Sequence, residues 1–182
     1  MSRIKIPTRD EAPAAAKPTL DAVNAQLGRV PNFFLAIATS PAVLAAHGAM
    51  GQALGKALDV KTRERIALAV AAVNGCEYCN AAHSYTGYNF AHLSPEEIAL
   101  ARAGKAGEPK AAAAVAFARR VAETRGKVED ADLDAVRAAG FDDARILEIV
   151  ALVAENFFTN LINNVVCTDV DFPTIEAPLQ AA

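Results

Sequence analysis

The chain has 182 residues, 53% of them hydrophobic and 21% charged, a balance too apolar for a disordered chain and sufficient to bury a core without disulfide staples. Its 18 Lys and Arg against 21 Asp and Glu leave a formal charge of −3. With no basic excess to release counterions from a phosphate backbone, the charge balance argues against nucleic acid as a partner. Alanine fills 42 positions while aromatics make up 6% and Trp is absent, which favours closely packed helices over sheets. The longest aliphatic runs, 66–73 and 111–118, are too short to span a bilayer. The first residues, Met1-Ser2-Arg3-Ile4-Lys5-Ile6-Pro7, form no apolar leader, so the expected location is cytoplasmic, with no membrane partner.

In chain order, residues 1–17, with Pro7 and Pro13, read as an extended arm. A first helix is predicted over 18–27, with Pro18 near its first position and Gly28 past its end. A short apolar helix starts at Pro31-Asn32-Phe33-Phe34 and stops at Ser40-Pro41. Pro41 opens a longer helix to about residue 58, with Val43, Leu44, His47 and Met50 on one face. The next helix covers 60–73, stopped by Asn74-Gly75, and another runs from Cys76 towards Phe90. Ser94-Pro95-Glu96-Glu97 combines a capping hydroxyl, a proline at the first position and first-turn carboxylates; Gly104 and Gly107 end that element. Helices over 111–125 and 130–139 follow, and Asp142-Asp143 caps a long apolar helix reaching Leu161 or beyond. The tail over 171–182, with Pro173 and Pro178, reads as a second arm. No segment alternates with period two, so the predicted fold is all-α: one helical domain over 1–182 with the cysteine pair starting a helix of a helical hairpin. A faint echo relates Glu64-Arg65-Ile66-Ala67-Leu68 to Glu148-Ile149-Val150-Ala151-Leu152, setting Cys76 against Asn160; two apolar helices of similar composition explain it as well.

The three cysteines, Cys76, Cys79 and Cys167, do not make a disulfide framework of a small secreted fold. Cys76 and Cys79 stand one helical turn apart, a separation that suits a disulfide. At a helix start, free N–H groups and the macrodipole stabilise a thiolate. Cys79 and His83, four apart, share a face. Glu64 lies eleven residues before Gly75, roughly 16 Å of helix, and His83 eight after it, roughly 12 Å. In a hairpin the two are therefore nearly level, within reach of a hydrogen bond or a bridging water. Leu68 and Ala71, on the Glu64 face, are expected opposite Cys79. Cys76 is expected at the exposed helix tip, within reach of an external dithiol, and Cys79 a turn inward.

The pattern Glu64-x11-Cys76-x2-Cys79-x3-His83 resembles the active-site motif of alkylhydroperoxidase D-like proteins of the carboxymuconolactone decarboxylase superfamily. Thr62-Arg63-Glu64-Arg65, Asn74-Gly75-Cys76-Glu77-Tyr78-Cys79 and Ala139-Gly140-Phe141 before Ile146-Leu147-Glu148 extend the likeness over residues 31–173. The resemblance implies a hydroperoxide reductase with Cys79 as peroxidatic thiolate, Cys76 as resolving thiol, and His83 and Glu64 as a proton relay. It further implies no cofactor, an external dithiol reductant (a lipoyl group or a thioredoxin-like protein), and a homo-oligomer, trimer or trimer-based hexamer. One position departs: the well-studied members carry a second histidine where this chain has Tyr78, and a phenol is a poor base near neutral pH.

Other readings of the same residues stand beside these. The cysteines could be buried small hydrophobes. Cys76, Cys79 and His83 could supply three zinc ligands, with no fourth nearby. His83 could be a core histidine, and Glu64 a surface carboxylate paired with Arg63 or Arg65. The dithiol could serve a disulfide oxidoreductase without peroxide specificity, or a redox-sensing or assembly protein. His47 reads as a helix-face residue, His92 as a loop residue, and Cys167 as a packed inert thiol. Phe157-Phe158 and Asn163-Asn164 read as core and helix-end residues without chemistry.

Overall fold

Local signals place the helices. The computed structural model describes residues 2–175, and among these it contains nine α-helices and no strand. They are α1 Lys17–Leu27, α2 Asn32–Ala38, α3 Pro41–Leu54, α4 Val60–Val73, α5 Glu77–Asn89, α6 Pro95–Arg102, α7 Pro109–Thr124, α8 Asp130–Ala138 and α9 Asp143–Val166. Asp59 caps α4 by accepting from the Thr62 N–H at 3.0 Å, and Asp142 caps α9 through the Arg145 N–H at 2.8 Å. Ser94 and Glu97 form a reciprocal capping box at the start of α6. These caps satisfy N–H groups that a helix start otherwise leaves without partners.

Two expectations change at the edges. The N-terminal arm is not wholly extended, because Ala14–Ala16 forms a 3-10 turn that leads directly into α1. Helix α3 stops at Leu54, where Gly55 takes the cap, rather than continuing to residue 58. The C-terminal arm is described only to Ile175, so Pro178 lies outside the described residues.

Helix α4 is central, touching α5, α6, α7 and α9, and its 100° advance per residue aims successive side chains at different neighbours. Ile66 and Val70, one turn apart, enter a cluster with Phe117 and Val121 of α7 and Ile149, Leu152 and Val153 of α9. Ala71 points to a second cluster holding Leu20, Phe33, Ile37, Leu44, Tyr78 and both Cys76 and Cys79. Leu68 packs into a third, with Leu93 and Ile98. That corrects the expectation for Leu68, which lies beneath α6 and not opposite Cys79. Alanines fill the contact faces of α4 and α7, among them Ala67, Ala69, Ala114, Ala118 and Ala122, so the backbones approach closely. Each fully buried Ile or Leu contributes about 1.5–3 kcal/mol. By length and composition, α9 could cross a bilayer, yet it packs here as a core helix, with Ile149, Asn160 and Asn163 buried.

Candidate active site

The α4–α5 hairpin turns at Asn74 and Gly75; Gly75 has φ 60°, in the left-handed region where a residue without Cβ is unstrained. Cys76 is the N-cap of α5, and its sulfur accepts from the Cys79 N–H at 3.2 Å. Cys76 and Cys79 form a disulfide with Cα atoms 5.3 Å apart, as one helical turn permits. Both lie inside the buried cluster around Ala71.

The sequence arithmetic for Glu64 and His83 meets in space. The His83 Nδ1–H group donates to Glu64 Oε2 at 3.0 Å, and the Thr86 hydroxyl donates to the same oxygen at 2.7 Å. Glu64 is therefore not the surface partner of its arginine neighbours: Arg65 pairs with Glu97 at 2.6 Å, and Arg63 donates to the Leu58 carbonyl. Burial by itself would lower the His83 pKa. The Glu64 carboxylate, by charge and by hydrogen bond, and the Glu155 charge outweigh it, so His83 is held above its ordinary value.

Four placements differ from expectation. Cys76 is fully enclosed, at 0% exposure, because α9 closes over the hairpin tip: Asn74 donates to Asn160 Oδ1 and Asn164 donates to the Asn74 carbonyl, each at 2.9 Å. Of the two cysteines, Cys79 is the one that lines the cavity. Asn163 is not a mere helix-end residue, since its Nδ2–H donates to Cys79 Sγ at 3.4 Å. His47 lines the same cavity as Cys79 and His83, and burial followed by the His83 charge lowers its pKa. Cys167 is exposed at the C-cap of α9 rather than packed.

The cavity has a volume of about 240 Å³ and is walled by Phe33, Phe34, Tyr78, Tyr85 and Phe172 as well as His47. The sequence holds these aromatics on three segments, α2, α5 and the C-terminal arm; the seven-residue spacing of Tyr78 and Tyr85 puts those two on one helix face, and no local periodicity joins them to the others. Tyr78 explains its own departure from the family pattern. Its hydroxyl donates to Asp171 Oδ1 at 2.9 Å and accepts from the Phe33 N–H at 3.1 Å. Burial pushes the phenol well above its ordinary pKa, so it remains a donor. Asp171 also accepts from Arg29 and the Asn32 N–H, and Phe172 packs on Tyr78, Tyr85 and the Arg29 guanidinium. Tyr78 is thus a clasp between α5, α2 and the C-terminal strap. Among the described residues no group of three or more His, Cys, Asp or Glu could hold a metal ion.

A helical hairpin presenting a disulfide one turn from a carboxylate-bound histidine defines a redox-competent thiol site. The carboxymuconolactone decarboxylase family profile matches residues 41–124. Among solved structures the chain is similar to an alkylhydroperoxidase AhpD core, an uncharacterized peroxidase-related protein from Ralstonia eutropha JMP134 (TM-score 0.84, 29% identity, over 93% of this chain and 92% of that one). It is also similar to an uncharacterized peroxidase-related protein from Silicibacter sp. TM1040 (TM-score 0.79, 23% identity, over 92% and 91%). A third similar structure is the debrominase Bmp8 (TM-score 0.78, 20% identity, over 93% and 92%). The last two likenesses carry the fold alone. No curated protein sequence gives a significant match. The profile match and the likeness to the alkylhydroperoxidase AhpD core support an AhpD-like member of the carboxymuconolactone decarboxylase superfamily, and the fold with its Cys76–Cys79 pair supports a peroxidase-related redox role.

Proposed function

We propose that the protein is a thiol-dependent hydroperoxide reductase that cycles Cys76 and Cys79 between dithiol and disulfide. The observation that carries this reading is that Cys79 lines one cavity with His83, itself bound to Glu64, and with Asn163, whose amide donates to the Cys79 sulfur. In the reduced protein the Cys79 thiolate attacks the terminal oxygen of a hydroperoxide. The O–O bond breaks, the sulfur becomes a sulfenic acid, and the alcohol leaves with a proton from His83. The Cys76 thiol then attacks the Cys79 sulfur, the S–O bond breaks, water leaves and the disulfide forms. An external dithiol, a lipoyl group or a thioredoxin-like protein, returns two electrons by attacking Cys79 from the cavity. Cys76 departs as a thiolate capped by the Cys79 N–H, a good leaving group at a helix start.

Dimedone labelling after one equivalent of peroxide tests the assignment. Cys76→Ser should carry one label, on Cys79, and should not turn over; Cys79→Ser should consume no peroxide. A label on Cys76 in Cys79→Ser would reverse the roles. A dithiol that cycles with disulfide substrates but ignores every peroxide would make the protein a disulfide oxidoreductase, and oxidation without turnover would make it a sensor. The aromatic walls favour one second reading: the same dithiol could remove halogen from a planar ring, the pair being oxidised while the ring gains hydrogen and halide leaves. Halide release from a brominated aromatic, in the absence of peroxide turnover, would favour it.

A further inference from the structure

Adjoining the first cavity at His83 lies a second one of about 160 Å³, whose lining includes His47, Arg63, Glu64, His83, Glu155 and Asn156. His83 lines both cavities, as do His47 and Thr159, so the imidazole borders an apolar chamber lined by Cys79 and a more polar one. Glu155 of α9 has no role in the chemistry described above. It is half-buried, and α3 passes close to it: a Cβ on Gly51 would lie 3.7 Å from Glu155 Oε1. The charged or titratable groups facing it are His47 of α3, Arg63 and Glu64 of α4, and His83 of α5. Building on the reductase reading, we propose that Glu155 and this polar cavity are the proton port of the site, through which His83 exchanges its proton with solvent.

Stoichiometry creates the need. The external dithiol attacks through its thiolates, so its protons stay in bulk water. The reduced site must end with one proton on Cys76 and one on His83 beside the Cys79 thiolate. During that half-cycle the aromatic chamber is filled by the reductant, and water has to deliver protons by another route. The polar cavity supplies it: Glu155 gives a proton to His83 and recovers one from cavity water. Its environment suits the task, because burial raises the Glu155 carboxyl while His83 and Arg63 hold it back. Glu64, doubly hydrogen-bonded by His83 and Thr86, orients the ring, leaving Glu155 as the carboxylate that exchanges. Glu155 acts through His83 and is a positioning residue for the proton.

The test uses Glu155→Gln and Glu155→Ala in the full chain, with cumene hydroperoxide as oxidant and dithiothreitol as reductant. Turnover should fall at least about tenfold in both, within the range of a lost acid–base group. The first oxidation of fully reduced, pre-equilibrated protein should stay within about twofold, because its proton is already in place. Formate should restore Glu155→Ala, whose missing side chain leaves room for it, and not Glu155→Gln. Equal slowing of both phases, unchanged turnover, or no response to formate would overturn the proposal. A third arm needs no peroxide: reduction of the Cys76–Cys79 disulfide by dithiothreitol alone should slow in both variants and recover with formate in the alanine one. If the wild-type protein consumes no peroxide, the reductase reading fails while this arm still decides for or against Glu155.

Discussion

Removing the Tyr78 hydroxyl separates a structural clasp from a catalytic group. Tyr78→Phe keeps the ring, 5% exposed in the core, and deletes two hydrogen bonds. One runs to the Asp171 carboxylate at 2.9 Å and the other comes from the N–H of buried Phe33 at 3.1 Å. Asp171 keeps Arg29 and the Asn32 N–H, so the loss on that side sits at the low end for a charged acceptor, about 1.5 kcal/mol. The Phe33 N–H is left buried without this partner, at a cost of about 1–2 kcal/mol. Together these give about 3 kcal/mol, which for a chain of this size lowers Tm by about 6–12 °C. Thermal unfolding followed by circular dichroism measures it. The phenol stays protonated and its hydroxyl bonds to Phe33 and Asp171, so oxidation of Cys79 by one equivalent of peroxide, measured well below the melting range, should change less than about threefold. An unchanged Tm would refute the clasp. A collapse of the oxidation rate with Tm preserved would make Tyr78 the functional counterpart of the histidine that related proteins carry there.

Three further outcomes follow from the same geometry. Because Glu64 and Glu155 together hold the His83 pKa above its ordinary value, the stability that protonated His83 contributes should be fully present below about pH 6.5 and lost as pH rises through the raised value. Chemical denaturation across that window should show the decline in wild type, and Glu64→Gln should flatten it; an identical profile would refute the coupling. Asn163→Ala removes the amide donor on the Cys79 sulfur and, at about 1.5 kcal/mol for a hydrogen bond to a charged group, should move the pH midpoint of Cys79 alkylation up by about one unit in a Cys76→Ser background. A midpoint that does not move would show that the amide leaves the thiolate unaffected. Leu161 and Val165 are 57% and 63% exposed on α9, beside Ile4 and Val43 in an apolar cleft. This face is expected to meet a second copy in the trimer or hexamer, so Leu161→Glu with Val165→Glu should dissociate the oligomer in sedimentation, and a monomeric wild type at micromolar concentration would refute it.

What the sequence by itself determined was carried by neighbours within a turn or two: helices begun at Ser94 and Asp142, and a hairpin closed at Gly75. The Glu64–His83 contact belongs here too, because helical rise and a single turn fix both residues at one level. The tertiary structure alone decided what surrounds that pair. Tyr78 meets Phe33 and Asp171 at separations of 45 and 93 residues, and Asn163 meets Cys79 at 84. Such partners leave no trace in local periodicity, because which face of α9 or which edge of α2 meets the thiol depends on how whole helices pack. For the same reason Cys76, a helix tip in sequence, is buried: the tip is exposed only until α9 lies across it.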